Sequence, residues 1–123
     1  MWVVSIATYE DFLVDISERL EPLGLPVFFD LSQVPQNAEN FVLIEASTSN
    51  TSATAQSGRL LEDYSQLVSI YRSGGSRTQA EATRYEAIRL LGRNKTVSHT
   101  IQKDNSQGME LYHISIRFNE LIM

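Results

Sequence analysis

The chain reads as one α+β domain spanning 1–123: a mainly antiparallel sheet of four or five strands, two helices packed on one face, and a long C-terminal β-hairpin. Three observations carry that reading. Residues Thr96 to Ile122 form two arms around Asn105-Ser106-Gln107-Gly108. The second arm alternates, with Tyr112, Ile114, Ile116 and Phe118 on one side and Leu111, His113, Ser115 and Arg117 on the other. A period of two is that of a strand with one packed and one largely polar face. Two earlier stretches instead repeat apolar residues at helical spacing behind capping signals. Finally, no βαβ periodicity dominates, which points away from a parallel α/β sheet.

In chain order, Trp2 to Ile6 is apolar and β-branched, and fits a short strand or the lead-in to a helix equally. Thr8 and Asp11 make a capping box, after which Phe12, Ile16 and Leu20 recur every four residues, flanked by Leu13 and Leu23. Pro22 disfavours helical geometry at its predecessor and Gly24 follows, so this helix should end near Glu21. Pro26 to Asp30 (PVFFD) is a short strand, Leu31 to Asn40 is turn-like, and Phe41 to Ala46 (FVLIEA) is a strand near the middle of the sheet. Ser47 to Arg59 is small and polar, and is expected to be an irregular loop. Leu60 to Arg72 resumes as a strand, broken by Gly74-Gly75. Ser76 with Gln79 opens a second helix, about Arg77 to Leu91, with Ala80, Arg84, Ala87, Ile88 and Leu91 on one face and Gly92 just past its end.

The alternation also proposes a register for the closing hairpin. Ile101 opposite Tyr112 sets Val97 against Ile116 and Lys103 against Glu110. His99 then lies on the packed face beside Ile114, and His113 lies on the other face beside Thr100 as a surface residue, so the two histidines share no metal.

Composition narrows the function classes. With no cysteine there is no thiolate nucleophile, disulfide or cysteine-based zinc site. No apolar run approaches the ~20 residues of a membrane helix, and MWVVSIA lacks the basic region of a signal peptide. The net charge of −5 is uneven. Met1 to Asp63 carries ten acidic residues against Arg19 and Arg59, whereas Tyr64 onward carries five acidic and eight basic ones. Such asymmetry suits a nucleic-acid site, a head-to-tail contact between identical subunits, or two solvated surfaces without a partner.

Catalytic signatures are missing: there is no Walker loop, GxGxxG, HExxH or GxSxG. Glu62 and Asp63 are neighbours on a strand and so point to opposite faces, which makes them poor partners for acid–base chemistry. Arg77, Arg84, Arg89 and Arg93 could meet phosphates, but Glu81 and Glu86 lie at ion-pairing spacing and no aromatic platform alternates with the arginines. Residue chemistry therefore points to no enzyme, cofactor or metal.

The order of short signatures does resemble a known family. ISERLEPLGLP, PVFFD, FVLIEAS, LVSIYRSGG, RTQAEATRYEAIRLLG and the closing ISIRFNELI together resemble the tail terminator, or minor capsid and tail-completion, proteins of long-tailed bacteriophages. The resemblance spans roughly the whole chain and rests on element order. It implies a structural virion protein, assembled in the host cytoplasm, whose hexameric ring caps the tail tube at the head–tail junction. Its partners would be copies of itself, the major tail tube protein and a head-completion or connector protein, with DNA passing through the lumen unbound and no membrane involved. The alternatives are a head–tail connector or stopper protein, and a small nucleic-acid-binding domain using the arginine-bearing second helix. For a ring, the candidate subunit or partner interface is Asn50, Thr51, Gln56 and Arg59 of the polar segment, Glu62 and Asp63 after it, and His113 and Arg117 on the polar hairpin face. The segment 47–59 either orders against a partner or is a floppy surface loop.

Overall fold

The computed structural model describes residues 9–53, 60–73, 76–104 and 111–122, with side chains described for 12–45, 65–73, 76–104 and 111–120. The lead-in at Trp2 to Ile6, the Thr8 cap, Gly74-Gly75 and the hairpin turn at Asn105 to Gly108 lie outside the described residues. Within them the elements run α1 (Tyr9–Arg19), β1 (Val27–Phe28), β2 (Phe41–Ala53), β3 (Leu60–Ser73), α2 (Arg77–Leu91), β4 (Thr96–Asp104) and β5 (Leu111–Ile122). They form the expected α+β domain. The sheet has five strands in the order β1-β2-β3-β5-β4, with β1 parallel to β2 and every other pair antiparallel.

Helical spacing puts Phe12, Ile16 and Leu20 on one stripe of α1, and all three are fully buried. The helix stops at Arg19 and tightens into a 3-10 turn over Glu21–Leu23. Gly24 closes that turn at φ 72°, a left-handed conformation that suits glycine. In α2 the Ser76 hydroxyl accepts from the Gln79 N–H at 3.1 Å, while Ala80, Ala87 and Leu91 face inward. Both helices cover the same side of the sheet. Their buried residues join Val42 and Ile44 of β2, Val68 and Ile70 of β3, and Ile114, Ile116 and Phe118 of β5 in one apolar core. The Phe12 and Phe118 rings meet at 6.3 Å between centroids.

Two sequence expectations are corrected. Ser47 to Ala53 is not an irregular loop but the outer half of β2, continuing past a register shift between Ile44 and Ser47 to pair with β3. Threonines and small polar residues accept extended geometry when a neighbouring strand supplies the ladder. The shift is a β-bulge, and buried Gln66 stabilises it: its amide donates to the Glu45 carbonyl and, at 2.9 Å, to that of Leu67.

The closing hairpin is also displaced by two residues from the proposed register. Ile101 faces Ile114, Lys103 faces Tyr112 and His99 faces Ile116. A second irregularity between Thr96 and Ser98 leaves Val97 exposed instead of opposite Ile116. Because the displacement is even, each side chain keeps its face, which is why alternation alone could not detect it. Lys103 lies over the Tyr112 ring, 5.9 Å from its centroid, where Glu110 had been expected to pair with it.

At the rim of the core Glu120 ties β5 to both flanking elements. Arg19 donates to it through two nitrogens at 3.1 and 3.2 Å, and Lys95 donates at 3.1 Å. Burial opposes ionisation of this carboxyl, but the hydrogen bonds and charges of Arg19 and Lys95 outweigh it and hold Glu120 below its ordinary 4.5. Arg19 is shifted upward in turn, chiefly by its hydrogen bond with Glu120.

Candidate functional site

The sheet face away from the helices carries aromatic and polar side chains in place of the aliphatic core. Residues paired across strands fall into rows on this face. One row is aromatic. Phe28 meets Phe41 edge-on at 6.1 Å, Phe41 stacks on Tyr71 at 4.7 Å, and Tyr71 stacks on His113 at 4.4 Å with the rings 12° from parallel. Leu31, Val34, Pro35 and Ala38, from the segment between β1 and β2, border a cavity of about 190 Å³ over the Phe41, Tyr71 and Leu111 end of the face. Asn40 fastens this end, accepting from the Ser73 N–H at 3.0 Å and donating to the Ser73 hydroxyl at 3.3 Å.

The next row is polar. Ser69, fully buried, donates its hydroxyl proton to the Glu45 carboxylate. The same oxygen lies 3.0 Å from His113 Nε2 and, with its own proton committed, accepts the Nε2–H there. Ser115 Oγ lies 3.3 Å from that same nitrogen and shares its proton. The Glu45 carboxylate thus sets the histidine tautomer through Ser69. The set contains an acid, a serine and a histidine, yet the acid binds the serine rather than orienting the imidazole, and the serine has no exposed surface. A nucleophilic triad needs the opposite arrangement. This is a cross-strand clamp linking β2, β3 and β5. Burial disfavours the Tyr71 phenolate, and the negative charges of Glu45 and Asp104 add to that, so its pKa lies above the ordinary 10.0.

The structure divides the residues named from the sequence into two groups. Asn50 pairs with Asp63 and Thr51 with Glu62, which brings those four together on the outer β2–β3 ladder. Gln56 and Arg59 lie outside the described residues. His113 and Arg117 lie on the open face: His113 pairs with Tyr71 toward the other end, whereas Arg117 pairs with Leu67 midway along β3 and donates to the Ser65 hydroxyl at 3.0 Å. Tyr71 and Glu62 are nine positions apart on β3, or ~30 Å of strand. His113 is also not the surface residue expected, since it is half-buried, stacked and hydrogen-bonded; its cross-strand neighbour on β4 is Gln102 rather than Thr100. The histidines do fall on opposite faces, with His99 exposed at the edge beside α2.

Sequence reasoning passed over Glu45, Ser69 and Tyr71. Their one signal was the lone Glu45 in the apolar run FVLIEA and the Ser69 and Tyr71 that alternate with Val68 and Ile70 in LVSIYR. The arginines of α2 are salt-laced as expected. Arg77 and Arg84 pair with Glu81, and Arg89 pairs with Glu86. Among the described residues no group of three or more His, Asp or Glu side chains could hold a metal ion, and no helix is long and apolar enough to cross a membrane.

No protein-family model and no curated protein matches the sequence. Among solved structures, a chain from the virion of a native gene transfer agent particle is similar. The match has a TM-score of 0.61 and covers 87% of this chain and 92% of that one, at 9% sequence identity. The two chains share a fold over nearly their whole lengths.

Proposed function

We propose that this chain is a structural virion protein of a tailed phage or phage-like particle, and within that class a tail terminator: a ring-forming protein that caps the tail tube, ends its polymerisation and offers the surface on which the head is joined. The observation that carries the reading is the near-complete fold match to a chain of a virion particle. The order of signatures along the sequence independently resembles terminator proteins. The reading assigns no catalysis, cofactor or metal.

A ring of identical subunits needs a contact between two different surfaces that closes on itself, and the uneven charge of the chain supplies surfaces of opposite sign. Pairing of the α2 arginines with Glu81 and Glu86 weakens the nucleic-acid alternative. Negative-stain images and light scattering of the purified protein test the reading: closed rings are expected at high concentration. Co-purification with tails assembled without heads separates a terminator, which should be present, from a connector or stopper, which should be absent. A protein that stays monomeric under all conditions and binds DNA in a salt-dependent manner overturns it in favour of the nucleic-acid reading.

A further inference from the structure

The two ends of the strand order differ in chemistry. Beside β1 the chain turns through Phe29-Asp30-Leu31, where Phe29 is 43% and Leu31 64% exposed. Asp30 accepts from the Ser32 N–H at 2.9 Å, and among the described residues it makes no ion pair. No lysine or arginine occurs between Arg19 and Arg59, and the segment around β1 is acidic, carrying the exposed Asp30 and Glu39.

At the other end, β4 and α2 border an open groove of about 600 Å³. It is lined by Ala82, Tyr85 and Ile88 with Glu81, Arg84, Arg93 and His99. Glu81 is held by Arg77 and Arg84. Arg93 instead lies 4.7 Å from the centroid of the Tyr85 ring and donates to its hydroxyl, with no carboxylate partner among the described residues. Tyr85 is 61% exposed. One end is therefore an apolar–acidic–apolar knob, and the other an apolar groove with an uncompensated guanidinium.

We propose that the groove between α2 and β4 receives the Phe29-Asp30-Leu31 knob of a second copy of this chain, with Asp30 meeting Arg93 and the apolar side chains covering Tyr85 and Ile88. The contact joins two different surfaces, so a joined pair still carries one free groove on one subunit and one free knob on the other, and the assembly grows head-to-tail until it closes. An aromatic–arginine centre with apolar neighbours is the composition expected of an energetically dominant interface cluster. This inference rests on the ring reading above and assigns its subunit contact.

The test uses charge exchange in the full-length protein, read by light scattering and negative-stain imaging. Asp30→Arg and Arg93→Glu should each abolish rings on their own, because each sets like charges against one another across every contact. A 1:1 mixture of the two variants should restore rings in which they alternate, and the double variant should assemble by itself. Both positions are exposed, and thermal melts confirm that each variant is folded. Leu31→Ser leaves the Asp30–Ser32 hydrogen bond in place and should raise the concentration needed for assembly about tenfold. Wild-type rings together with single variants that still assemble, or a mixture that does not recover, would overturn this contact while leaving the ring reading intact. A wild type that forms no rings under any condition overturns both.

Discussion

The two faces of this sheet are built from the same strands and do different work. Toward the helices, Val42, Ile44, Val68, Ile70, Ile114, Ile116 and Phe118 are sealed beneath Phe12, Ile16, Leu20, Ala80, Ala87 and Leu91. Apart from Gln66 at the bulge and the Glu120 cluster at the rim, that packing is apolar and places few demands on residue identity beyond size and shape. The other face carries the aromatic row from Phe28 to His113 and the Glu45–Ser69–His113–Ser115 clamp. Its interactions depend on direction and on which atom holds a proton. The contrast teaches that apolar packing is concentrated on one face, while the other is held by stacked rings and directional hydrogen bonds.

Substitutions that probe the contrast should fall in a definite order. Phe118→Ala removes a fully buried ring from under α1 and should cost ~3–5 kcal/mol in chemical denaturation. Glu120→Gln strips the charge that Arg19 and Lys95 share and should cost about 2 kcal/mol near neutral pH. The same carboxyl predicts a pH dependence. Its folded pKa lies below the ordinary 4.5, so its contribution is complete above that value and is lost as pH falls through the lower, folded one. Wild-type stability should decline across that acidic interval, and the Glu120→Gln protein should decline less; equal slopes would show that the cluster is not linked to folding. Gln66→Leu leaves the carbonyl at the bulge without its amide donor and should cost about 1–2 kcal/mol, with hydrogen exchange quickening first around Glu45. His113→Ala on the open face removes one stacked ring and one clamp member, and should cost only about 1 kcal/mol. A His113→Ala loss as large as that of Phe118→Ala would mean that the open face is a second core.

The legibility of the sequence followed the same division. Helical spacing exposed the stripe Phe12, Ile16 and Leu20, capping residues fixed the start of α2, and alternation assigned the faces of β5. Each of these is a local periodic signal read from one segment. The bulges at Ile44/Ser47 and Thr96/Ser98 were not legible, because the spacing of two adjacent strands is a tertiary property to which face alternation is blind. For the same reason the outer half of β2 reads as a loop in the sequence. STSNTSA has no apolar alternation of its own and becomes a strand because β3 supplies its ladder. The clamp was hidden further still, since Glu45, Ser69 and His113 come from three strands and only the strand order brings them together. Opposed charge at the two edges could be sensed as a difference between halves of the sequence, but the strand order was needed to turn it into two surfaces.

The proposed role is tested most directly by adding the purified protein to polymerising tail tubes of its own particle and measuring tube lengths by electron microscopy. Tubes should stop growing, with a ring of this protein at one end. Tubes that continue to elongate with no ring at either end would contradict it.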